Sequence, residues 1–219
     1  MRTKNEILRQ LVDPGVIAVV RARKASQAMP IAEALLAGGV IAVEITMTTP
    51  DAIAAIRELS AKLGDRALIG VGTVLDATTC RTAIAAGAQF VVSPIYRPEL
   101  AHIANAAQRA VMLGAYTPTE AQMAHEVGAD FVKIFPADGL GPNYIKALRA
   151  PLPHLKIVPT GGVDLTTIAD FFKAGCAAVG AGSSLISKEI LEKDDWAELT
   201  RRAKEFVKAA RAARSGLRT

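Results

Sequence analysis

The sequence predicts a (β/α)₈, or TIM, barrel preceded by an extra N-terminal helix. Three observations support this fold class: apolar segments of strand length alternate with helical segments, glycine follows several helices, and charged residues are rare inside the strands. Aromatic residues make up only 5% of the chain, which suits parallel strands covered by helices built from small residues. The 219 residues match one barrel at the short end of the range, so we predict a single domain over residues 1–219.

Eight apolar runs have the length expected of buried strands. In chain order they are Val16–Arg21, Val40–Thr46, Ala67–Gly72, Gln89–Ser93, Ala110–Gly114, Asp130–Phe135, Lys156–Thr160 and Ala177–Ala181. Segments with helical spacing lie between them, and the clearest are Ser26–Ala37, Pro50–Leu63, Asp76–Ala86 and Leu165–Ala174. We also predict an N-terminal helix at Thr3–Val12 and a longer final helix from Asp194. Eight such units imply right-handed crossovers between parallel strands.

Local signals mark where the helices begin and end. Gly39, Gly87, Gly128 and Gly175 each stand where a helix should close in the left-handed conformation just before a strand. Thr49-Pro50 and Thr117-Pro118 each place a capping hydroxyl before a proline at the first helical position. These signals predict short loops throughout the chain.

Charge and composition exclude several classes of protein. The net charge is +5, but residues 201–219 alone carry +6, so the rest of the chain is close to neutral. A basic final helix without aromatic platforms is more typical of a solvated surface than of a nucleic-acid site, and we predict no nucleic-acid partner. Cys80 and Cys176 show neither disulfide nor metal-ligand spacing. Because the chain has no apolar signal core and no run of about 18 apolar residues, we predict a cytoplasmic protein without a membrane partner.

Three ionisable residues interrupt the predicted strands: Arg21, Glu44 and Lys133. Alternation places Lys133 on one face of its strand with Phe131 and Phe135. Burial of an ammonium group is costly, so such a lysine is a structural residue or a neutral nucleophile. A structural lysine would either extend its amine to solvent or form a buried ion pair with Glu44. We favour the nucleophile, and no metal ligand or other cofactor is needed for that chemistry.

The other two ionisable residues suit supporting roles. Glu44 is a candidate general base, and charge compensation of Lys133 or Arg21 is its simpler alternative. Arg21 ends the first predicted strand, where it can bind a carboxylate or a phosphate through two hydrogen bonds.

Two glycine-rich loops follow the last two predicted strands. Gly161-Gly162 follows the seventh strand, and Gly182-Ser183-Ser184 follows the eighth. Glycine lets backbone N–H groups approach an anion, and the two serine hydroxyls are further donors. Loops after strands seven and eight form the usual phosphate site of TIM barrels, so we predict phosphate binding here.

From about Val16 to Leu185 the chain resembles the 2-keto-3-deoxy-6-phosphogluconate (KDPG) and 4-hydroxy-2-oxoglutarate (KHG) aldolase family. The ordered motifs that carry the resemblance are Gly38-Gly39-Val40, Val43-Glu44-Ile45-Thr46, Gly70-Val71-Gly72-Thr73-Val74, Val92-Ser93-Pro94, Thr117-Pro118-Thr119-Glu120, Lys133-Ile134-Phe135-Pro136, Gly141-Pro142, Pro159-Thr160-Gly161-Gly162-Val163 and Gly180-Ala181-Gly182-Ser183.

The resemblance implies a class I aldolase that splits a 2-keto acid, forming pyruvate through a Schiff base on Lys133. Glu44 would move protons through water, Thr73 would contact the substrate near the imine, and Pro94 and Phe135 would line the pocket. The glycine loops and Ser184 would hold the phosphate. The preferred substrate would be KDPG, which yields pyruvate and glyceraldehyde 3-phosphate, with KHG or 2-keto-3-deoxy-6-phosphogalactonate as alternatives. Family members are typically homotrimers without metal.

Two departures from the family pattern affect substrate binding. Some members have a carboxylate-binding arginine at the position of Thr48, and Arg21 is a candidate to supply that charge here. Leu113-Gly114-Ala115-Tyr116 replaces the more usual Pro-Gly-Val at the end of the fifth strand. We expect the chemistry to survive both changes and the selectivity to depend on them.

Two functions of other classes remain open at this stage. A sugar-phosphate isomerase or epimerase could use the same glycine loops, although His102, His125 and His154 do not fall at strand ends. A non-catalytic barrel scaffold is the second alternative, and the retention of both Lys133 and Glu44 argues against it.

Overall fold

A computed structural model describes residues 2–216, so the outer limits of the predicted domain and Arg218 of the basic tail lie outside the described residues. All eight strands form: β1 Val16–Val20, β2 Ala42–Thr46, β3 Leu68–Gly72, β4 Phe90–Val92, β5 Ala110–Ala115, β6 Phe131–Ile134, β7 Ile157–Pro159 and β8 Val179–Ala181. The helices are α1 Lys4–Val12, α2 Ala28–Ala37, α3 Ala52–Leu63, α4 Ala77–Ala85, α5 Pro98–Ala106, α6 Pro118–Glu126, α7 Gly141–Arg149, α8 Ile168–Lys173, α9 Lys188–Lys193 and α10 Trp196–Ser215.

The strands form one parallel sheet that closes on itself. Hydrogen-bonded neighbours follow the order β7-β6-β5-β4-β3-β2-β1-β8. The remaining gap is closed by a parallel bridge between Thr160 and Gly180, and Ala177 N–H donates to the Ile157 carbonyl at 2.9 Å. This closure confirms the predicted barrel, including its N-terminal helix.

Strand alternation divides the core into two layers. Val43, Ile45, Val132 and Ile134 pack outward in a large cluster between the strands and the helices. Inward residues form a smaller cluster at the N-terminal end of the barrel, where Ile7 and Leu11 of α1 cover the opening. Helix α1 therefore closes this end, and the opposite end is left for a site at the carboxyl ends of the strands.

The predicted helix ends are confirmed where glycine signals them. Gly39, Gly87, Gly128 and Gly175 all have φ between +87° and +108°, which residues with a Cβ rarely adopt. The prediction also included Gly38 of the Gly38-Gly39 pair and was wrong there, because Gly38 has φ of −86° and extends the right-handed turn. Thr117 also caps α6 as predicted, because its hydroxyl accepts the Glu120 N–H in a complete capping box.

Two predictions at helix termini were wrong. Thr49 does not cap α3; its hydroxyl donates to the Val20 carbonyl at 3.3 Å and accepts the Ala22 N–H. These two hydrogen bonds of the Thr49 hydroxyl instead connect the end of β1 to the loop after β2. The final helix was predicted to begin at Asp194, but α10 begins at Trp196. The short helix α9 that precedes it was not predicted. Six residues are too few for a clear periodic pattern, which explains why α9 escaped notice.

Both cysteines are buried as free thiols. Burial raises the pKa of Cys80 to about 11 and the pKa of Cys176 to about 12, so both thiols stay protonated near neutral pH. Within residues 2–216, no helix combines the length and apolar character needed to cross a bilayer.

Candidate active site

Lys133 lies inside the barrel on β6. Its neighbours Val132 and Ile134 face the helices, whereas Lys133 points inward between Phe131 and Phe135 in the sequence. The residue is 5% exposed, and its Nζ lies 5.3 Å from the centroid of the Phe135 ring. The structure thus places a primary amine in a mostly apolar interior, as the alternation of β6 predicted.

Glu44 reaches the same interior from β2. The carboxylate is buried, and its Oε1 lies 3.7 Å from Nζ of Lys133. No hydrogen-bond donor within the described residues reaches this oxygen. The nearest cationic partner of this oxygen is therefore the Lys133 amine, and the two groups form a buried pair.

Gly72 makes room for this carboxylate. A Cβ at position 72 would lie 1.9 Å from Oε1 of Glu44 and 2.6 Å from its Cδ. Because β3 pairs directly with β2, any side chain at position 72 would displace the carboxylate from Lys133. The family motifs contain Gly72, but its steric role depends on a neighbouring strand and was not predicted.

If Glu44 is the general base that the sequence predicts, Gly72→Ala should lower kcat by about 10²-fold while pyruvate still binds, since an ångström-scale displacement of a catalytic group has effects of this size. In a Glu44→Gln background the same substitution should cause little further loss, because it acts through Glu44. Steady-state kinetics of the two single variants and the double variant measure this coupling.

Gly139→Ala is the matched control for Gly72→Ala, because a Cβ at position 139 would meet no atom within 4 Å. Thermal unfolding of each variant separates misfolding from displacement of the carboxylate. Equal losses of kcat in the wild-type and Glu44→Gln backgrounds would contradict the proposed role of Gly72.

Backbone geometry at the ends of β3 and β4 is also unusual. Thr73 has φ of +59°, which is strained for a β-branched residue and costs on the order of 1–3 kcal/mol. Pro94 packs against Gly114, where a Cβ would lie 2.0 Å from the Pro94 carbonyl carbon. Gly114 therefore allows Pro94 to approach β5. The Leu113–Tyr116 segment keeps this glycine although it departs from the family pattern.

A cavity of about 530 Å³ opens at the carboxyl ends of β7, β8 and β1. It brings together seven of the predicted site residues: Arg21, Phe135, Gly161, Gly162, Gly182, Ser183 and Ser184. Lys133 and Glu44 are not among the residues that line the cavity, and Phe135 is the residue that both lines it and lies beside Lys133. This end of the barrel therefore holds a buried amine, a buried carboxylate and, next to Phe135, a cavity with room for a ligand.

The glycine loops offer several backbone donors to this cavity. The N–H groups of Gly162, Ser183 and Ser184 donate no hydrogen bond within residues 2–216. Gly161 and Gly162 have φ of +94° and +66°, and a Cβ on Gly162 would clash with Asp138 at 2.6 Å. Open N–H groups on two adjacent loops form a concave surface suited to an anion.

Arg21 adds a positive charge at the rim of the cavity. Within the described residues it forms no hydrogen bond or ion pair, whereas nearby Arg23 binds Glu192 at 2.8 Å. An unpaired guanidinium group beside open N–H groups favours an anionic ligand.

Two predicted site residues have other contacts in the structure. The hydroxyl of Ser184 donates to the Val163 carbonyl at 2.5 Å, so it joins the two loops and only its N–H stays open to the cavity. Thr48 is exposed, and its Oγ1 lies 2.7 Å from that of Thr46. Thr48 does not line the cavity, and neither do Thr73 and Pro94.

Thr160 is a cavity residue that was not predicted individually. It is 6% exposed, lines the cavity and fits against Gly180, where a Cβ would lie 2.2 Å from Oγ1. Strand alternation could have found it, because Val158 two positions earlier also faces inward.

The histidines lie elsewhere, as predicted. His102 and His125 belong to α5 and α6, and His154 in the loop before β7 pairs with Gln122 at 2.9 Å. Within the part of the chain that the structure describes, no three His, Cys, Asp or Glu side chains cluster as metal ligands.

A closed barrel with a buried lysine–carboxylate pair and a cavity at the same end fits the class of Schiff-base lyases. The KDPG and KHG aldolase model matches residues 6–202, and the chain belongs to that family of carbon–carbon lyases.

Three similar proteins illustrate the range within the family. The chain is 35% identical over 193 residues to 2-dehydro-3-deoxy-phosphogluconate aldolase of Pseudomonas aeruginosa, covering 88% of this chain and 87% of the relative. It is 36% identical to 2-dehydro-3-deoxy-6-phosphogalactonate aldolase of Escherichia coli K12, with coverage of 90% and 95%. A Legionella pneumophila KDPG aldolase structure, with pyruvate captured as a covalent carbinolamine, matches with a TM-score of 0.78 at 31% identity, covering 87% and 92%.

Proposed function

We propose that this protein is a class I aldolase that cleaves KDPG to pyruvate and glyceraldehyde 3-phosphate, with Lys133 as the Schiff-base residue. The observation that carries the proposal is the buried pair of Lys133 Nζ and Glu44 Oε1, 3.7 Å apart inside the barrel. The covalent pyruvate adduct of the Legionella relative supports the same chemistry.

Bond formation begins when the amine of Lys133 attacks C2 of the substrate. Glu44, directly or through a water molecule, helps move the protons that convert the carbinolamine to an iminium ion and release water. The low exposure of both residues keeps bulk water away from this cation. The iminium ion then serves as the electron sink for bond cleavage.

Cleavage breaks the bond between C3 and C4. Glu44 removes the proton of the C4 hydroxyl, the aldehyde departs, and the electron pair forms an enamine rather than a free carbanion. Protonation at C3 and addition of water to the resulting imine release pyruvate and regenerate Lys133. Thr73, Pro94 and Phe135 are proposed to surround the reacting atoms.

The cavity is proposed to hold the far end of the substrate. Open N–H groups of Gly162, Ser183 and Ser184 suit a phosphate, with Gly161 shaping the same loop. Arg21 adds charge there or binds the carboxylate in place of the arginine absent at Thr48. Binding of a distant phosphate can position the scissile bond, so an unphosphorylated substrate should lose kcat as well as affinity.

A coupled assay of pyruvate release tests this proposal. KDPG, its galactonate epimer at C4 and unphosphorylated KHG are compared by kcat/KM, and KDPG should be the best substrate. Preference for the galactonate compound would establish the alternative named for the Escherichia coli relative. Turnover without any pyruvate release would point to the isomerase or epimerase alternative, and no turnover of any substrate would favour a non-catalytic scaffold.

Gly182 allows a selective test of the phosphate site. It lines the cavity, and a Cβ added there would meet no protein atom within 4 Å. We expect Gly182→Ala to fold normally, raise KM for KDPG about tenfold and leave kcat/KM for KHG within twofold, because the methyl group enters the space left for phosphate.

Gly139→Ala again serves as the matched control, since its Cβ also meets no atom but does not line the cavity. Kinetics of both variants with both substrates give the comparison. A similar loss with KHG and KDPG would contradict the placement of phosphate beside Gly182.

Quaternary structure and location complete the proposal. We propose a homotrimer in the cytoplasm that requires no metal or other cofactor, on the basis of the family resemblance. Light scattering and a chelator-treated assay measure the assembly and the metal independence.

A further inference from the structure

A second cavity, of about 520 Å³, opens at the N-terminal end of the barrel. We call it the basal pocket and define it by the apolar side chains of Leu8, Val12 and Phe172 and the cations Arg9, Lys156 and Arg214. It lies among α1, α8 and the end of α10, at the opposite end of the barrel from Lys133. Its volume is within the range of small-molecule sites.

The wall of the basal pocket is apolar and firmly packed. Phe172 and Phe131 are almost fully buried, and Leu8 and Val12 pack against the cluster beneath α1. The Cys176 thiol in the wall remains neutral, because burial raises its pKa to about 12. An aromatic or aliphatic group therefore finds a preformed surface here.

The rim of the basal pocket carries positive charge. Arg214 is fixed, because its Nη1 donates to the Ala177 carbonyl at 2.9 Å and its guanidinium lies 5.4 Å from the Phe172 ring centroid. Arg9 and Lys156 form no ion pair within the described residues, and no carboxylate lines the pocket there. Glu6 interacts electrostatically with Arg9 but is engaged in capping α1.

We propose that the basal pocket binds a small aromatic anion, with its ring against Leu8 and Val12 and its charge facing Arg9 and Lys156. An apolar wall beside three cations without a carboxylate complements an organic anion better than either a neutral apolar compound or free phosphate. This site is independent of the proposed aldolase reaction, whose residues lie at the other end of the barrel.

Fluorescence titration with a matched pair of probes tests the proposal. The anionic probe is 1-anilinonaphthalene-8-sulfonate, and N-phenyl-1-naphthylamine has the same rings without the charge. Titrations contain saturating pyruvate and inorganic phosphate, so that the catalytic cavity is occupied. We expect the anionic probe to bind more tightly than the neutral probe.

A charge-neutral double variant, Arg9→Gln with Lys156→Gln, should raise the Kd of the anionic probe about tenfold and that of the neutral probe less than twofold. Lys204→Gln with Lys208→Gln removes the same charge from exposed positions of α10 and should change neither Kd. Trapping of pyruvate by borohydride should be unchanged in both variants, which verifies their fold.

Four results would overturn the proposal. Three are equal Kd values for the two probes, an unchanged Kd of the anionic probe in the Arg9 and Lys156 variant, and an equal loss in the α10 control. The fourth is a higher Kd of the anionic probe with pyruvate and phosphate present than in a parallel titration without them, which would assign the probe to the catalytic cavity. If the basal pocket fails these tests, the aldolase proposal is unaffected, because pyruvate release tests that proposal separately.

Discussion

Lys133→Met is expected to abolish formation of a covalent pyruvate adduct and to reduce turnover by about 10⁴-fold or more, as for other catalytic nucleophiles. Methionine approximates the volume of lysine and suits the apolar surroundings, but it has no amine to attack C2. Mass spectrometry after borohydride reduction in the presence of pyruvate measures the adduct directly.

Lys156→Met provides the control for this substitution. Lys156 is an exposed lysine just before β7, at the opposite end of the barrel from the proposed site. Its replacement should leave both the adduct and the turnover unchanged. An adduct on the Lys133→Met protein would place the nucleophile at another lysine and reject the assignment.

Lys133→Met should also lower the stability of the protein. Removal of the amine leaves the Glu44 carboxylate buried without its only ion-pair partner within the described residues. An uncompensated buried charge is destabilising by about 3–5 kcal/mol. Urea unfolding should therefore give a lower free energy of unfolding for the variant than for the wild-type protein.

Glu44→Gln is expected to lower kcat by about 10²–10⁴-fold with a small change in KM, because the amide keeps the shape but cannot accept a proton. Loss of the base should also slow exchange of the pyruvate methyl protons with solvent deuterium. NMR of pyruvate in D₂O isolates this half of the reaction from cleavage of the C3–C4 bond.

Glu58→Gln is a suitable comparison for Glu44→Gln. Glu58 is an exposed residue of α3 that pairs with Lys62, so its substitution makes the same charge change far from the barrel interior. Wild-type kcat and exchange are expected for this variant. If Glu44→Gln retained full turnover and full exchange, another group would have to be the base.

Much of the fold was predictable because its signals are local. Apolar runs located all eight strands within a few residues, and glycine after a helix predicted the positive φ at Gly128 and Gly175. Thr117 capped its helix as expected, since a capping box involves only neighbouring residues. Thr49 did not, because the distant Val20 carbonyl competes for its hydroxyl.

The proposed site was predictable to a smaller extent. A lysine and a glutamate inside apolar strands are conspicuous in any sequence, so Lys133 and Glu44 could be selected without coordinates. The hydroxyl of Ser184 was expected to face an anion but donates to Val163 across the gap between two loops. The contribution of Thr160 likewise depends on the space that Gly180 leaves on the neighbouring strand.

Sequence alone determined the barrel, the inward direction of Lys133 and Glu44 and the two glycine loops, because strand periodicity and turn chemistry involve residues close together in the chain. Tertiary structure decided the 3.7 Å separation of the amine and the carboxylate, the clearance at Gly72 and the basal pocket between α1 and α10. Each of these features joins segments far apart in the chain, and their distances are set by how strands align and helices pack.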